Sequence, residues 1–372
     1  MVRPYFLLLF MAAIALPLNL GQGLRVSAAD TVQVTPSTQQ PGDFTNPRLL
    51  YNLNAHPGRV KSLAFSPNSQ ILVSGGAYND GIIRLWNPKT GKRVGTINKA
   101  QKNTVESLVI SPDGQTLASS GSDNIINLWN LKSNQFTRSF VGHTTSVTSL
   151  AVSADGKVLV SGALDGIRVW DLLQQRPLGT LVRFDNRIDT LAMSSDGQTL
   201  ASGDTKGVIK LWDLSTGKLI RSFNAHSGAV TDITFATDGQ NLISCSSDRT
   251  IKIWNLPSEQ LTRTLTGHNN WVNAIALNRD GKTLASAGRD GIKLWDLSTG
   301  ELLNTLIGHS DWVSAIAFSP DGQILASGGF DGKVNIWGNP SITYTTYAAD
   351  GPLCFDTGRR ALSYTKITES GE

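Results

Sequence analysis

The sequence predicts an all-β chain: a closed seven-bladed β-propeller with four short antiparallel strands in each blade. Three observations predict it. Seven tryptophans, Trp86, Trp129, Trp170, Trp212, Trp254, Trp295 and Trp337, recur at separations of 43, 41, 42, 42, 41 and 42 residues. A fixed period of this length marks a repeat architecture, in which no unit buries its apolar face alone and neighbours must stack. Each unit alternates apolar and polar residues with the period of a strand, and turn residues punctuate the alternation. Beyond residue 30 no segment carries the apolar spacing of a helix.

In chain order, residues 1–29 read as an address. Arg3 gives a short basic start, Tyr5 to Leu18 an apolar run of about fourteen residues, and Val26 and Ala28 the small residues that precede a cleavage site. The run is shorter than the ~20 residues of a spanning helix. The expectation is a Sec-type signal peptide cut near Ala28 or Ala29, exporting the chain to a periplasm, lumen or extracellular space. An uncleaved N-terminal membrane anchor is the alternative. Residues 30–47, rich in Thr, Gln and Pro, read as a flexible linker. Residues 48–337 hold the repeats, and residues 338–372 form a C-terminal tail outside them.

Within a unit, an alternation such as Val313, Ile316, Phe318 forms the first strand. A turn such as Ser319-Pro320-Asp321-Gly322 follows, whose glycine can take the positive φ of a tight hairpin. The second strand follows, as in Ile324 to Ser327, and the third ends on the anchor tryptophan. A turn such as Ser215-Thr216-Gly217-Lys218 leads into the fourth. A ring of such units must hide its terminal edges, which would otherwise pair with other chains. Arg48 to Leu53 (RLLYNL) precedes His56 as Leu219 to Phe223 precedes His226. It is therefore expected to be the outer strand of the seventh blade, closing the ring from the N-terminus. Ile342 to Tyr347 competes for that slot, but the N-terminal segment has the matching register.

These motifs resemble the WD-repeat β-propeller (WD40) family, whose ~40–45-residue unit starts near Gly-His and ends at Trp-Asp. Gly142-His143, Gly267-His268 and Gly308-His309 fit directly, Ala55-His56 and Ala225-His226 nearly so, and Trp170-Asp171, Trp212-Asp213 and Trp295-Asp296 close their units. Gln101 and Phe184 stand where units two and four should have His, and Lys206 replaces the turn Asp of unit four, so those two blades are expected to be looser. The resemblance implies five copies of one buried network. They are His56, Ser74, Asp80 and Trp86; His143, Ser161, Asp165 and Trp170; His226, Ser244, Asp248 and Trp254; His268, Ser286, Asp290 and Trp295; and His309, Ser327, Asp331 and Trp337.

His, Ser and Asp are also the residues of an acyl-transfer triad, but an enzyme needs one active site, not five. The network consumes all five histidines of the chain, leaving none for a metal or a general base. Glu106, Asp189, Asp232 and Asp311 are scattered one to a blade, whereas glycosidases need two facing carboxyls. Glu106 and Asp189 meeting in the channel would be the alternative, a ligand-binding or hydrolytic propeller acting on a sugar or peptide. Cys245 and Cys354 form no CxxC, and Cys245 reads as a small core residue. Without Arg3 and Arg25, 31 basic residues face 29 acidic ones, a net charge of +2, too weak to imply nucleic acid. No catalytic residue, metal or cofactor is expected.

In propellers of this family, the loops entering the innermost strands and the turns between second and third strands open on one face, which usually binds proteins. The informative positions there are those that vary: Arg59, Lys61 and Asn79; Arg187 and Asp189; Trp271, Asn273 and Arg289; Trp312, Ser314 and Phe330. Trp271 and Trp312 are the two tryptophans outside the seven anchors. With Arg289, Phe330 and Arg59 they have the composition of an interface hot spot, unless each merely packs on its neighbouring blade. The expected function is a non-catalytic protein-interaction scaffold, itself monomeric, binding one or more protein partners.

Overall fold

The computed structural model describes residues 44–183 and 186–339. The expected signal peptide, most of the expected linker, Cys354 and the competing segment Ile342 to Tyr347 lie outside the described residues. Within them every regular element is a strand, and the 28 strands form seven antiparallel sheets of four. In each blade the innermost strand is the first in sequence; blade one runs Val60–Phe65, Leu72–Gly76, Ile83–Trp86 and Arg93–Ile97. The innermost strands pack side by side around a channel, and Val60–Phe65 closes the circle against Val313–Phe318 of blade seven.

The composition of each strand follows from its depth. Second strands are clamped between neighbouring blades on both faces and are built from apolar and small residues. Ile324–Gly329, Ile-Leu-Ala-Ser-Gly-Gly, is buried throughout. Fourth strands cover only one side, so Lys218–Asn224 alternates between exposed and half-buried residues. Cys245 is fully buried in the second strand of blade five, as expected of a small core residue.

Closure occurs by the expected latch. Arg48–Asn54 pairs antiparallel with Lys333–Gly338, in a register that sets Arg48 opposite Gly338 and Leu53 opposite Val334. Blade seven is thus built from both ends of the repeat region, and its outer edge is covered by main-chain hydrogen bonds. The register also places both exits from the ring, beside Arg48 and Gly338, at one end of blade seven. Asn54 and the turn Phe330–Gly332 lie at the other, where the amides of Ala55 and His56 donate to the Gly332 carbonyl.

The ring begins earlier than the sequence reading placed it. Phe44, assigned there to the flexible linker, is 1% exposed and fills the seam between blades six and seven among Leu294, Leu306, Val313 and Leu325. Its ring meets Phe318 edge-on at 5.1 Å, and the Asn304 amide donates to the Thr45 carbonyl and the Asn46 side chain. A buried aromatic and two side-chain bonds fix this stretch to the ring, so residues 44–47 are not spacer.

Candidate partner-binding face

The five networks form as expected. In blade one His56 Nδ1 lies 2.6 Å from Asp80, His56 Nε2 lies 2.9 Å from Ser74 Oγ, and the Trp86 indole N–H donates to that oxygen at 2.9 Å. The corresponding His–Asp, His–Ser and Trp–Ser distances are 2.6, 2.7 and 2.8 Å for His143, 2.9, 2.9 and 3.1 Å for His226, and 2.6, 2.7 and 2.8 Å for His268. For His309 they are 3.0, 2.8 and 2.9 Å. Because an indole can only donate, the serine oxygen accepts from the tryptophan, and the histidine ring bridges that serine and the carboxylate through its two nitrogens; in blade one the Arg84 guanidinium also lies 2.6 Å from His56 Nδ1. Each imidazole sits between the second-strand serine and the aspartate of the turn that follows that strand. All five serines are fully buried.

The pKa shifts of four of the five histidines run toward the neutral ring. Burial pushes His56 down to about 4, assisted by the Arg84 guanidinium and opposed by Asp80. Burial likewise lowers His143, His226 and His268 against their aspartates. Burial alone would raise Asp165, but the bonds from Thr144 and His143 outweigh it and hold the carboxyl below its ordinary range. At Gly329 an added Cβ would lie 2.5 Å from both Asp331 Oδ1 and His309 Nδ1, so the network dictates glycine at that position.

The two divergent blades fill the pattern differently. Gln101 is buried in the histidine position of blade two and donates to the Ser119 hydroxyl and carbonyl at 2.9 and 2.8 Å. Its Oε1 and the Oδ1 of Asp123 are buried without a partner, so this network is incomplete. In blade four Phe184 lies outside the described residues, and Lys206 offers no carboxylate to the turn. Asp204, opposite Ile188 where blade one has Gly76 opposite Val60, supplies it instead and accepts from Asn186 at 2.9 Å. The sequence reading overlooked Asp204, although an acid where the other units have Gly, Ala or Ser was a visible signal.

Around the channel, the residue after the first-strand Val or Ile does one of two things. Thr148, Thr231, Asn273 and Ser314 donate to carbonyls of the next blade: Ile188, Val272 at 2.5 Å, Val313 at 2.8 Å and Val60 at 2.5 Å. Asn273 and Ser314, read from sequence as face residues, are thus engaged in joining blades. In blades one, two and four the same position carries Lys61, Glu106 and Asp189. Lys61 lies 3.7 Å from Glu106, and Arg187 lies 2.9 Å from Asp189. Burial, then Arg59, lowers the Lys61 ammonium; burial raises Asp189 against Arg187 and Lys61. Asp232 is pushed up to about 6 by burial, opposed by bonds from the Ile275 and Ile233 amides and Thr190. Glu106 and Asp189 are each held by a cation, which is not the arrangement of a facing acid and base.

Above these charges the expected aromatic residues come together. Trp271 and Trp312 meet edge to face at 5.7 Å, Trp312 and Phe330 lie at 6.2 Å, the Arg59 guanidinium sits 4.2 Å over Phe330, and that of Arg289 sits 5.9 Å from the Trp312 ring. Blades six, seven and one thus share one continuous rim. Trp271 is 53% exposed, Arg289 is exposed, and Trp312, Phe330 and Arg59 are partly exposed. Beside it a cleft of about 150 Å³ opens between blades six and seven, lined by Arg289, Leu306, Ile307, His309 and Asp311.

Comparison with known proteins places this geometry in a family. The first β-propeller of IFT122 matches residues 59–291, more than half of the chain, and the WD domain, G-beta repeat, matches residues 300–338. Pre-mRNA-processing factor 19 homolog 2 of Arabidopsis thaliana is 31% identical over 154 residues, 41% of this chain and 28% of that protein. Anaphase-promoting complex subunit cdh1 of Dictyostelium discoideum is 36% identical over 127 residues, 33% of this chain and 17% of its own length. Small ribosomal subunit protein RACK1 of Medicago sativa is 35% identical over 173 residues, 38% of this chain and 52% of that protein. The chain spans about half or less of the length of these relatives. Repeat period, blade construction, recurring buried network and family match together make this chain a member of the WD-repeat β-propeller family.

Proposed function

We propose that this protein is a non-catalytic interaction scaffold that binds a protein partner on the face carrying Trp271, Arg289, Trp312, Phe330 and Arg59, with Lys61 and Arg187 at its channel edge. The observation that carries this reading is the rim itself. Five residues from three blades stack in sequence and leave a half-exposed indole and exposed arginine edges, the composition of a hot spot. The burial of all five serines and of four of the five histidines supports a structural role for the residues that most resemble catalytic ones. Two relatives are named as a subunit of the anaphase-promoting complex and as a protein of the small ribosomal subunit, and membership in assemblies fits a scaffold.

The protein works outside the cytoplasm, delivered by the signal of residues 1–29, and binds as a monomer. Capture after crosslinking in the native compartment, with the full chain and its Trp312→Ala variant, tests the binding face. The variant should lose the partner while its thermal unfolding stays unchanged. Retained capture removes the assignment. N-terminal sequencing of the protein from that compartment should begin at Ala29 or Asp30, and an intact Met1 would point to the anchor instead.

A further inference from the structure

Resting on that binding face, we infer that its occupant is an acidic protein segment, which seats a bulky apolar side chain in the cleft beside Trp312 and places carboxylates on Arg289 and Arg59. The charges at the channel mouth divide into two kinds. Lys61 and Arg187 already have carboxylates, Glu106 at 3.7 Å and Asp189 at 2.9 Å. Arg59 and Arg289 have aromatic faces instead, and among the described residues neither has an ion-pair partner. The Arg59 Nε is moreover buried without any hydrogen-bond acceptor.

A guanidinium lying over a ring keeps its in-plane N–H groups available, and those groups match a carboxylate two at a time. The ring also fixes the guanidinium, so little side-chain freedom is lost when a carboxylate arrives. Exposed apolar side chains lie beside these cations. Trp271 is 53% exposed and Ile307, on the lip of the cleft, is 71% exposed. The cleft's 150 Å³ suits one aromatic ring or branched aliphatic side chain. The cleft holds two acids: Asp311 accepts from the Trp312 amide, and Asp290 is engaged by His268 and the Asn269 amide, so both belong to the fold's own bonds. The surface therefore asks for an apolar anchor with negative charge on both sides.

Three families of eight-residue synthetic peptides test this, each with a central Leu or Phe flanked by Glu, by Gln or by Lys. They are titrated against the full chain by calorimetry and by tryptophan fluorescence. The Glu family should bind about tenfold or more tighter than the Gln family, the expected size for one charge-assisted pair, and the preference should weaken with added salt. Arg59→Ala and Arg289→Ala together should erase the preference with unfolding unchanged. Arg59→Glu should move it toward the Lys family, which keeps the test open if the alanine pair folds poorly. Equal binding by all three families, preference for Gln or Lys, or no binding by any of them overturns the acidic segment. If Trp312→Ala still loses the crosslinked partner in those cases, the binding face stands and only its charge selection falls. If that capture survives the substitution, the face itself falls.

Discussion

Acid should unfold this propeller in two stages, and His56 sets the first. In the folded chain its imidazole is neutral and resists protonation until about pH 4, whereas in the unfolded chain it takes a proton near its ordinary 6.5. Because the folded value is the lower one, stability is complete above pH 7 and falls as the pH drops from about 6.5 toward 4. Between pH 7 and pH 4.5 this one residue withdraws about 2.5 kcal/mol, a sizeable share of the roughly 5–15 kcal/mol that holds a typical domain folded. His143, His226 and His268 are lowered in the same direction and deepen the loss. Below the ordinary carboxylate range a second loss follows, as Asp165, Asp248, Asp290 and Asp331, all held low in the fold, take up protons. Urea unfolding at pH 7.5, 6 and 4.5, alongside an NMR titration of the His56 ring, measures both quantities. Arg84→Gln removes the guanidinium that helps keep His56 neutral, so it should raise that titration and shrink the first stage. Stability that stays flat from pH 7.5 to 5, or a His56 that titrates at 6.5 or above, would mean a charged His–Asp pair and would refute the neutral ring.

Three further outcomes can be checked by chemical or thermal unfolding. Phe44→Ala should destabilise the ring by about 3–5 kcal/mol, as loss of a fully buried aromatic does; a change under about 1 kcal/mol would place residues 44–47 back in the linker. Ser161→Ala leaves both the Trp170 N–H and His143 Nε2 without a partner and should cost about 1–3 kcal/mol, with no effect on partner capture. Gln101→His should stabilise blade two by about 1 kcal/mol, since it offers the unpartnered Asp123 oxygen a ring N–H; an unchanged or lower stability would show that blade two has repacked around the glutamine.

The repeat made much of the fold legible, because closing a ring of blades leaves little freedom once the period and the strand pattern are known. Even the latch followed from register alone. Phe44 was missed for want of carrying the same register one step further. Leu131, Leu214, Leu256 and Leu297 each stand twelve residues before the histidine of the following unit, and Phe44 stands twelve before His56. These leucines border the core between blades, so the position takes a large apolar side chain in those units. Local composition, polar on both sides of Phe44, hid a requirement set by partners more than 200 residues away. The rim was legible for the opposite reason. Trp271 and Trp312 break the tryptophan period, and a residue that the repeat does not explain has to be explained by something else.

Variation within a repeat does not by itself separate binding residues from structural ones, and the channel shows why. At the position after the first-strand Val or Ile, the sequence offers Lys, Glu, Thr, Asp, Thr, Asn and Ser in turn. Four of these seven perform one task, donating to a carbonyl of the next blade, and Thr, Asn and Ser serve equally because each presents a donor at similar reach. Variation there is tolerance. Lys61, Glu106 and Asp189 cannot substitute for one another, since they differ in sign and the two carboxylates have no proton to donate when ionised. Blades one and two are joined across this position by the Lys61–Glu106 pair instead of a hydroxyl. The departure that carries information is thus a change of chemical role. Ring faces, guanidinium edges and channel charge meet along the line from Trp271 through Trp312, Phe330 and Arg59 to Lys61.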